Sequence, residues 1–320
     1  MTGLDAALKT AENYRRFAVH LAAGRSQSYE QLALAVAGDD LVLSFLERLP
    51  VAKRQPNLLF AAARYLLGSP AEHTSLRSLV SERPDELAEV MRTRRTQTNE
   101  AGRCAVLLPA LALLPPPLAL LEVGAAAGLM LIPDLYSYDY EGHRVAGTEP
   151  EAPWLCCRPL GPVPLPERAP EIAWRAGIDL NPLDLNDDDD MAWLSCLLWP
   201  GEADRAERLE GAIGAARRQP PRIYRGDLLD DLATVAAQAP TGATLVIYHS
   251  AVLAYVDTPK RQAFATAVGD LGAVWLSNEG SGVLPGLTNE PGPASFLLVR
   301  DGKEVGARAE PHGTWLEWLA

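Results

Sequence analysis

Between residues 118 and 278 the chain repeats one pattern, a short and nearly continuous apolar run followed by a longer stretch of helical texture. The runs are LALLEV at 118–123, IAWRAGID at 172–179, RIYRGD at 222–227, TLVIYHS at 244–250 and AVWLSN at 273–278. A strand apolar on both faces needs cover on both, and parallel strands need crossovers that helices supply. The pattern predicts a doubly wound α/β domain with a mostly parallel sheet. The end differs. ASFLLVR at 294–300, Asp301-Gly302 and KEVGARA at 303–309 spell two strands about a tight turn, so the sheet should finish in a C-terminal antiparallel hairpin.

Residues 4–114 carry apolar spacings of three and four, with Gly24 where a helix would stop and no strand signal. This predicts an all-helical N-terminal domain over 1–115, ahead of the α/β domain over 116–320. The intervals 136–171 and 183–201 are too long for simple crossovers and read as insertions, the first with a possible hairpin. Asp187–Asp190 directly precede MAWLSCLLW and read as acids favoured by a helix N-terminus. A metal site is not expected there, because no return ligands accompany them. The uncharged run CAVLLPALALLPPPLALL at 104–121 has membrane-spanning length. Pro109 and Pro115–Pro117 break it into a helix end, a turn and a strand.

With 29 Lys+Arg against 41 Asp+Glu the net charge is −12, a poor basis for neutralising a phosphate backbone, so no nucleic-acid partner is expected. The four cysteines lack zinc-ligand spacing, and the N-terminus lacks an apolar leader. The expectation is a cytoplasmic protein with a small-molecule substrate and no membrane partner. Oligomeric state is not legible.

The chemistry gathers at LLEVGAAAGL, which places Glu122, Gly124 and Gly128 where the first strand should turn sharply into a helix and let a ligand approach the backbone. The dinucleotide fingerprint G-x-G-x-x-G is not met, since Ala126 and Leu129 stand at its second and third glycines, which argues against an NAD(P)-dependent oxidoreductase. The pattern E-x-G-x-x-x-G resembles the first motif of class I S-adenosylmethionine-dependent methyltransferases. That resemblance implies S-adenosylmethionine as cofactor, with Glu122, Gly124 and Gly128 shaping the bed for its amino-acid end. Asp179, ending the second strand, is placed to accept hydrogen bonds from both ribose hydroxyls. Asp139, nearer in sequence, is the alternative. Asp227 ends the third strand and resembles the methyltransferase residue that accepts from the adenine amino group, with Leu228 against the ring.

The segments YRRFA (14–18), KRQPNLLFAAARYLL (53–67), TRRTQTNE (93–100), AWRAGIDLNPLD (173–184), RGDLLDDL (225–232) and LSNEG (276–280) are similar to a bacterial family catalogued as domain of unknown function 2332. The similarity covers nearly the whole chain. It implies a Rossmann-like methyltransferase sheet behind a helical N-terminal part, and no particular substrate.

A helix expected over 85–114 carries Leu87 and Met91 on one stripe that continues through Arg94 and Thr98 to Gly102 and Ala105. Arg94 or Arg95 is a candidate clamp for the cofactor's carboxylate, with Asn99 and Glu100 beside it. The alternative is a solvated face with ion pairs such as Glu100 with Arg103. Methyl transfer requires alignment and, for a hydroxyl acceptor, a base. The fourth strand ends at His249, the candidate general base or else a histidine satisfied by its neighbours. The fifth ends at Asn278 and Glu279, and Glu279 either holds a substrate amine or caps a turn. No N/D-P-P-Y signature stands at 247–251, which agrees with a substrate other than nucleic acid. A non-catalytic protein that keeps the sheet to bind a nucleotide-like metabolite or a protein partner is the main alternative.

Overall fold

The computed structural model describes residues 3–97, 99–287 and 295–319. Their contacts group residues 3–97 with 188–207 as one compact unit, and 99–187 with 208–319 as another, against a boundary expected after residue 115. Thr98, part of the expected helical stripe, and Ala294, at the start of the expected hairpin, lie outside the described residues.

The first unit opens with α1 (Gly3–Phe17), α2 (Gln27–Val36), α3 (Asp40–Glu47), α4 (Pro56–Leu67), α5 (His73–Glu82) and α6 (Pro84–Thr93). Local chemistry sets their ends. Asp39 caps α3 by accepting from the backbone of Leu41 and Val42, while α4 starts on Pro56 and stops at Gly68 with φ +73°. After α7 (Cys104–Ala112) of the other unit, α8 (Asp188–Cys196) completes this one and buries Trp193 in its core with Tyr14, Tyr29 and Phe60. Asp188–Asp190 form the first turn of α8, where the helix dipole favours acids. Trp193 Nε1 donates to Arg95 O at 2.9 Å, and Lys53 Nζ to Arg94 O at 2.7 Å.

Those bonds explain one correction. The helix expected over 85–114 is broken, because α6 ends at Thr93, Arg94 is extended, and α7 begins only at Cys104. The carbonyls of Arg94 and Arg95 serve Lys53 and Trp193 instead of continuing the helical ladder. A Cβ on Gly102 would come within 2.4 Å of His312 O, so the backbone there is packed against another segment rather than coiled in a long helix.

The second unit holds β1 (Leu118–Val123), β2 (Ser137–Tyr140), β3 (His143–Val145), β4 (Trp154–Cys156), β5 (Arg158–Leu160) and β6 (Ile172–Asp179). Beyond α9 (Ala203–Arg218) come β7 (Arg222–Arg225), α10 (Leu232–Ala236), β8 (Thr244–Ser250), α11 (Thr258–Asp270), β9 (Val274–Gly280), β10 (Phe296–Arg300), β11 (Glu304–Ala309) and β12 (Trp315–Trp318). Among the described residues these make a nine-stranded sheet in the order β5-β12-β11-β10-β9-β8-β1-β6-β7, and a small sheet β3-β2-β4 within the first insertion. The strands β7, β6, β1, β8 and β9 are parallel. Successive strands run outward from β1 in both directions, so a topological switch lies between β1 and β8. The expected hairpin is present as β10–β11, but β12 and then β5 extend it. One face of the sheet, with Leu121, Val123, Ile247, Trp275 and Leu297, packs against Leu232 and Val235 of α10 and Phe264 and Val268 of α11.

A second correction concerns the crossover after β1. No helix follows it; residues 124–136 form consecutive turns. Gly124, Ala126 and Gly128 take φ of +74°, +49° and +75°, alternating left-handed positions that a helix does not allow. Among the described residues no helix is long and apolar enough to cross a membrane.

Trp193→Ala should destabilise the helical unit by about 3–5 kcal/mol, through the lost ring and the cavity it leaves. Urea unfolding followed by circular dichroism reads this; a loss under about 1 kcal/mol would show that the indole is not the keystone of that core.

Candidate functional site

In an open parallel sheet, ligands meet the carboxyl ends of the strands beside the switch point. Here that edge carries the turns after β1, Asp179 ending β6, Asp227 just beyond β7, and the ends of β8 and β9. The turns after β1 are held by two side chains. Asn99 donates from Nδ2 to Ala125 O at 3.1 Å and accepts from Leu129 N at 2.9 Å, bridging Gly128. Asp179 Oδ2 accepts from Ala126 N at 2.8 Å and Oδ1 from Asn181 N at 2.7 Å, tying the loops after β1 and β6 together. Space also dictates the glycines: a Cβ on Gly124 would lie 2.4 Å from Val252 Cγ2, and one on Gly128 2.6 Å from Pro221 Cγ.

Glu122 is only 2% exposed, and its Oε2 has no hydrogen-bond partner among the described residues. Burial, reinforced by the Asp179 carboxylate, pushes its carboxyl well above the usual range, against the opposing pull of the Arg103 guanidinium. Arg103 is itself buried and donates to Pro311 O at 2.8 Å and Ser250 O at 3.2 Å. Asp227 behaves oppositely. Burial is the largest single influence and acts upward, but Lys260 Nζ at 2.6 Å and Leu229 N at 2.9 Å outweigh it and hold the carboxyl below its ordinary value. Leu228 packs into the core with Leu232 and Val235.

His249 is fully buried against Phe264 and Trp275, with ring centroids 5.8 and 5.9 Å away. Trp275 Nε1, a donor only, reaches His249 Nε2 at 3.0 Å. The proton therefore sits on Nδ1, which donates to Glu279 Oε1 at 2.7 Å. Both ring nitrogens are engaged within the protein. Glu279 Oε1 also accepts from Val252 N and Leu253 N at 2.8 and 2.9 Å. Asn278 Nδ2 donates to Ser250 Oγ at 2.9 Å, and its buried Oδ1 has no partner among the described residues.

The remaining candidates stand elsewhere in the fold. Arg94 and Arg95 belong to the helical unit, where Arg94 bonds Asp190 at 2.7 Å and also Asp189, with its guanidinium over the Trp193 ring. Asp139 closes the β2–β3 hairpin by accepting from Gly142 N at 2.7 Å and Arg144 Nε at 3.0 Å. Glu100 pairs with Arg208 at 2.8 Å.

A family model described as "Uncharacterized protein conserved in bacteria (DUF2332)" matches residues 11–318. The chain belongs to this family. Neither the curated proteins nor the solved structures contain a match.

In this DUF2332 chain, sequence reasoning missed Arg103 beside Glu122, Lys260 on Asp227 and Trp275 on His249. Only Trp275 carried a local signal, an aromatic on the buried face of a strand. Arg103 and Lys260 stand among other charges, and nothing in their spacing distinguishes them.

Two outcomes follow from these contacts. A carboxyl raised by burial favours the folded state below its unfolded value, near 4.5, and loses that contribution as pH rises towards its folded value. Glu122→Gln should therefore gain about 1 kcal/mol over the unsubstituted chain at neutral pH, with the difference shrinking towards pH 4.5; thermal melts across pH read it, and a pH-independent difference would refute the assignment. Ala126→Gly should leave stability unchanged or raise it by up to about 1 kcal/mol, because φ is left-handed there. Ala127→Gly should cost about 1 kcal/mol, and equal losses in both variants would show that Ala126 is unstrained.

Proposed function

We propose that the α/β unit binds S-adenosylmethionine at the carboxyl edge of β1, β6 and β7 and acts as a methyltransferase on a small-molecule acceptor. The observation that carries this reading is the set of three carboxylates, Glu122, Asp179 and Asp227, at the ends of three neighbouring parallel strands, with Glu122 Oε2 buried and unpartnered. The donor set fits. Glu122 would accept from the ammonium of the cofactor's amino-acid end, which would replace the proton that burial forces on it. Carboxylates accept up to about four hydrogen bonds, so Asp179 would receive ribose hydroxyls beside its backbone donors, and Asp227 the adenine amino group beside Lys260. The bound sulfonium supplies an electrophilic methyl group.

Within this reading His249 is a positioning residue, since its Nε2 is taken by Trp275 and its Nδ1 proton by Glu279. The protein's part is then to orient the acceptor and exclude water, and the acceptor must arrive nucleophilic. Two features favour a second reading, binding without catalysis: the engaged His249 ring, and Val252 lying over Gly124 where a ligand would approach.

Calorimetric titration of the full chain with S-adenosylmethionine, S-adenosylhomocysteine and NADPH tests the first reading. Micromolar binding of both adenosyl ligands and none of NADPH is expected, and Asp227→Ala should weaken adenosyl binding by roughly 1.5–3 kcal/mol. No adenosyl binding would overturn the proposal. Binding without release of S-adenosylhomocysteine in a screen of small acceptors would favour the second reading.

A further inference from the structure

Val252 fills the place where the adenosyl reading needs open backbone. A Cβ on Gly124 would lie 2.4 Å from its Cγ2 and 3.0 Å from its Cγ1, so the loop after β8 closes directly on the turn after β1. That loop is short. It runs from Ala251 to Val256, between the end of β8 and the start of α11, with a single helical turn over Leu253–Tyr255. Its residues are held unequally. Leu253 is fully buried in the core with Phe264 and Trp275, whereas Val252 is half-exposed and Tyr255 is 73% exposed. Arg261 fixes the far end by donating from Nε to Val256 O and from Nη1 to Val283 O, both at 2.7 Å. At the near end Glu279 Oε1 accepts from Val252 N at 2.8 Å and from Leu253 N at 2.9 Å. Ala251, one residue earlier, takes φ +58°, a left-handed backbone that is costly for a residue with a Cβ.

A strained residue beside a half-exposed one, set between firm anchors, is a segment that can change arrangement without unfolding its neighbours. Lifting Val252 gives up one hydrogen bond and the contact with Gly124, and it releases the cost stored at Ala251. Glu279 Oε1 keeps His249 Nδ1 and Leu253 N as donors, so the acid is not stripped of partners. We propose that Ala251–Val252 is a gate, closed in this structure, that pivots on the buried Leu253 to admit an adenosyl ligand to the backbone at Gly124. The gate rests on the adenosyl reading and adds the step that controls entry to that site. Apparent affinity is then reduced by the fraction of molecules whose gate stands open, and a change that weakens closure tightens binding.

The test has two parts, both on the full chain at pH 7. Amide hydrogen exchange without ligand, followed residue by residue by NMR, should show Val252 at least tenfold less protected than Leu253, although both N–H groups bond the same oxygen. Calorimetric titration with S-adenosylhomocysteine should show Val252→Ala binding at least fivefold more tightly than the unsubstituted chain, because the methyl groups over Gly124 are gone. Val256→Ala makes the same chemical change at the end held by Arg261 and should leave affinity within twofold. Equal protection of the two amides overturns the gate and leaves the adenosyl reading standing. So does binding by Val252→Ala that is no tighter than that of the unsubstituted chain, or equal tightening by Val256→Ala. Absence of S-adenosylhomocysteine binding in both the unsubstituted chain and Val252→Ala overturns the adenosyl reading, and the gate with it.

Discussion

Taking carboxylates out of water is the demand around which the edge of this sheet is organised. Three acids at that edge are nearly inaccessible, and each meets the cost differently. Glu279 remains an anion because an imidazole and two backbone N–H groups converge on one oxygen. Asp179 is bonded by backbone N–H groups from two loops, so its desolvation is offset by the same contacts that fix those loops. Glu122 has no hydrogen bond to Oε2 and is driven towards its protonated form. Removing Asp179 would therefore free the turns after β1, whereas removing Glu122 would relieve a cost. That asymmetry separates an acid that fixes two loops from one that burial disfavours.

The strand order explains why these groups meet at all. Because β6 and β8 both flank β1, the loops leaving β1, β6 and β8 converge beside the switch point although they are separated by more than fifty residues of sequence. Antiparallel strands then continue the sheet beyond β9, and β9 is thereby buried between β8 and β10. A central strand has its backbone groups paired on both sides, which lets Ser277, Asn278 and Glu279 lie almost fully buried at its end. Polar side chains there answer to neighbouring strands rather than to solvent.

Much of this sheet was legible in the sequence. The runs at 118–123, 172–179 and 244–250 match β1, β6 and β8 residue for residue, since a strand buried on both faces must be apolar throughout and polar residues mark its ends. The edge strand β5 and its neighbour β12 carried no such signal, because partly exposed strands of three or four residues mix polar and apolar types. The helix expected over 85–114 failed for a related reason. Spacings of three and four persist across 94–103, yet tertiary hydrogen bonds from Lys53 and Trp193 claim the carbonyls that would have continued it. Of the candidate site, the acids at strand ends were readable from position alone. The state of His249 was not, because it depends on a tryptophan from another strand. Arg94 misled in the same way, as its partners lie about a hundred residues further along the chain.

The glycine motif teaches the subtler lesson. Gly124 and Gly128 suggested open backbone for a ligand, but Val252 and Pro221 fill the space a Cβ would occupy, so packing within the protein already requires both glycines. A motif of this kind is thus weak support for a cofactor when considered alone. Ala126 is more telling. It stands where a dinucleotide fingerprint would place glycine, it takes the left-handed conformation that glycine would accept without strain, and its N–H is aimed at Asp179. Next to it lies Glu122, an acid that burial disfavours. A sequence selected for stability alone would relax both, with Gly at 126 and a neutral side chain at 122. On the proposed reading, binding rather than folding sets both residues, and strain beside an unsatisfied acid at the switch point is what that reading requires.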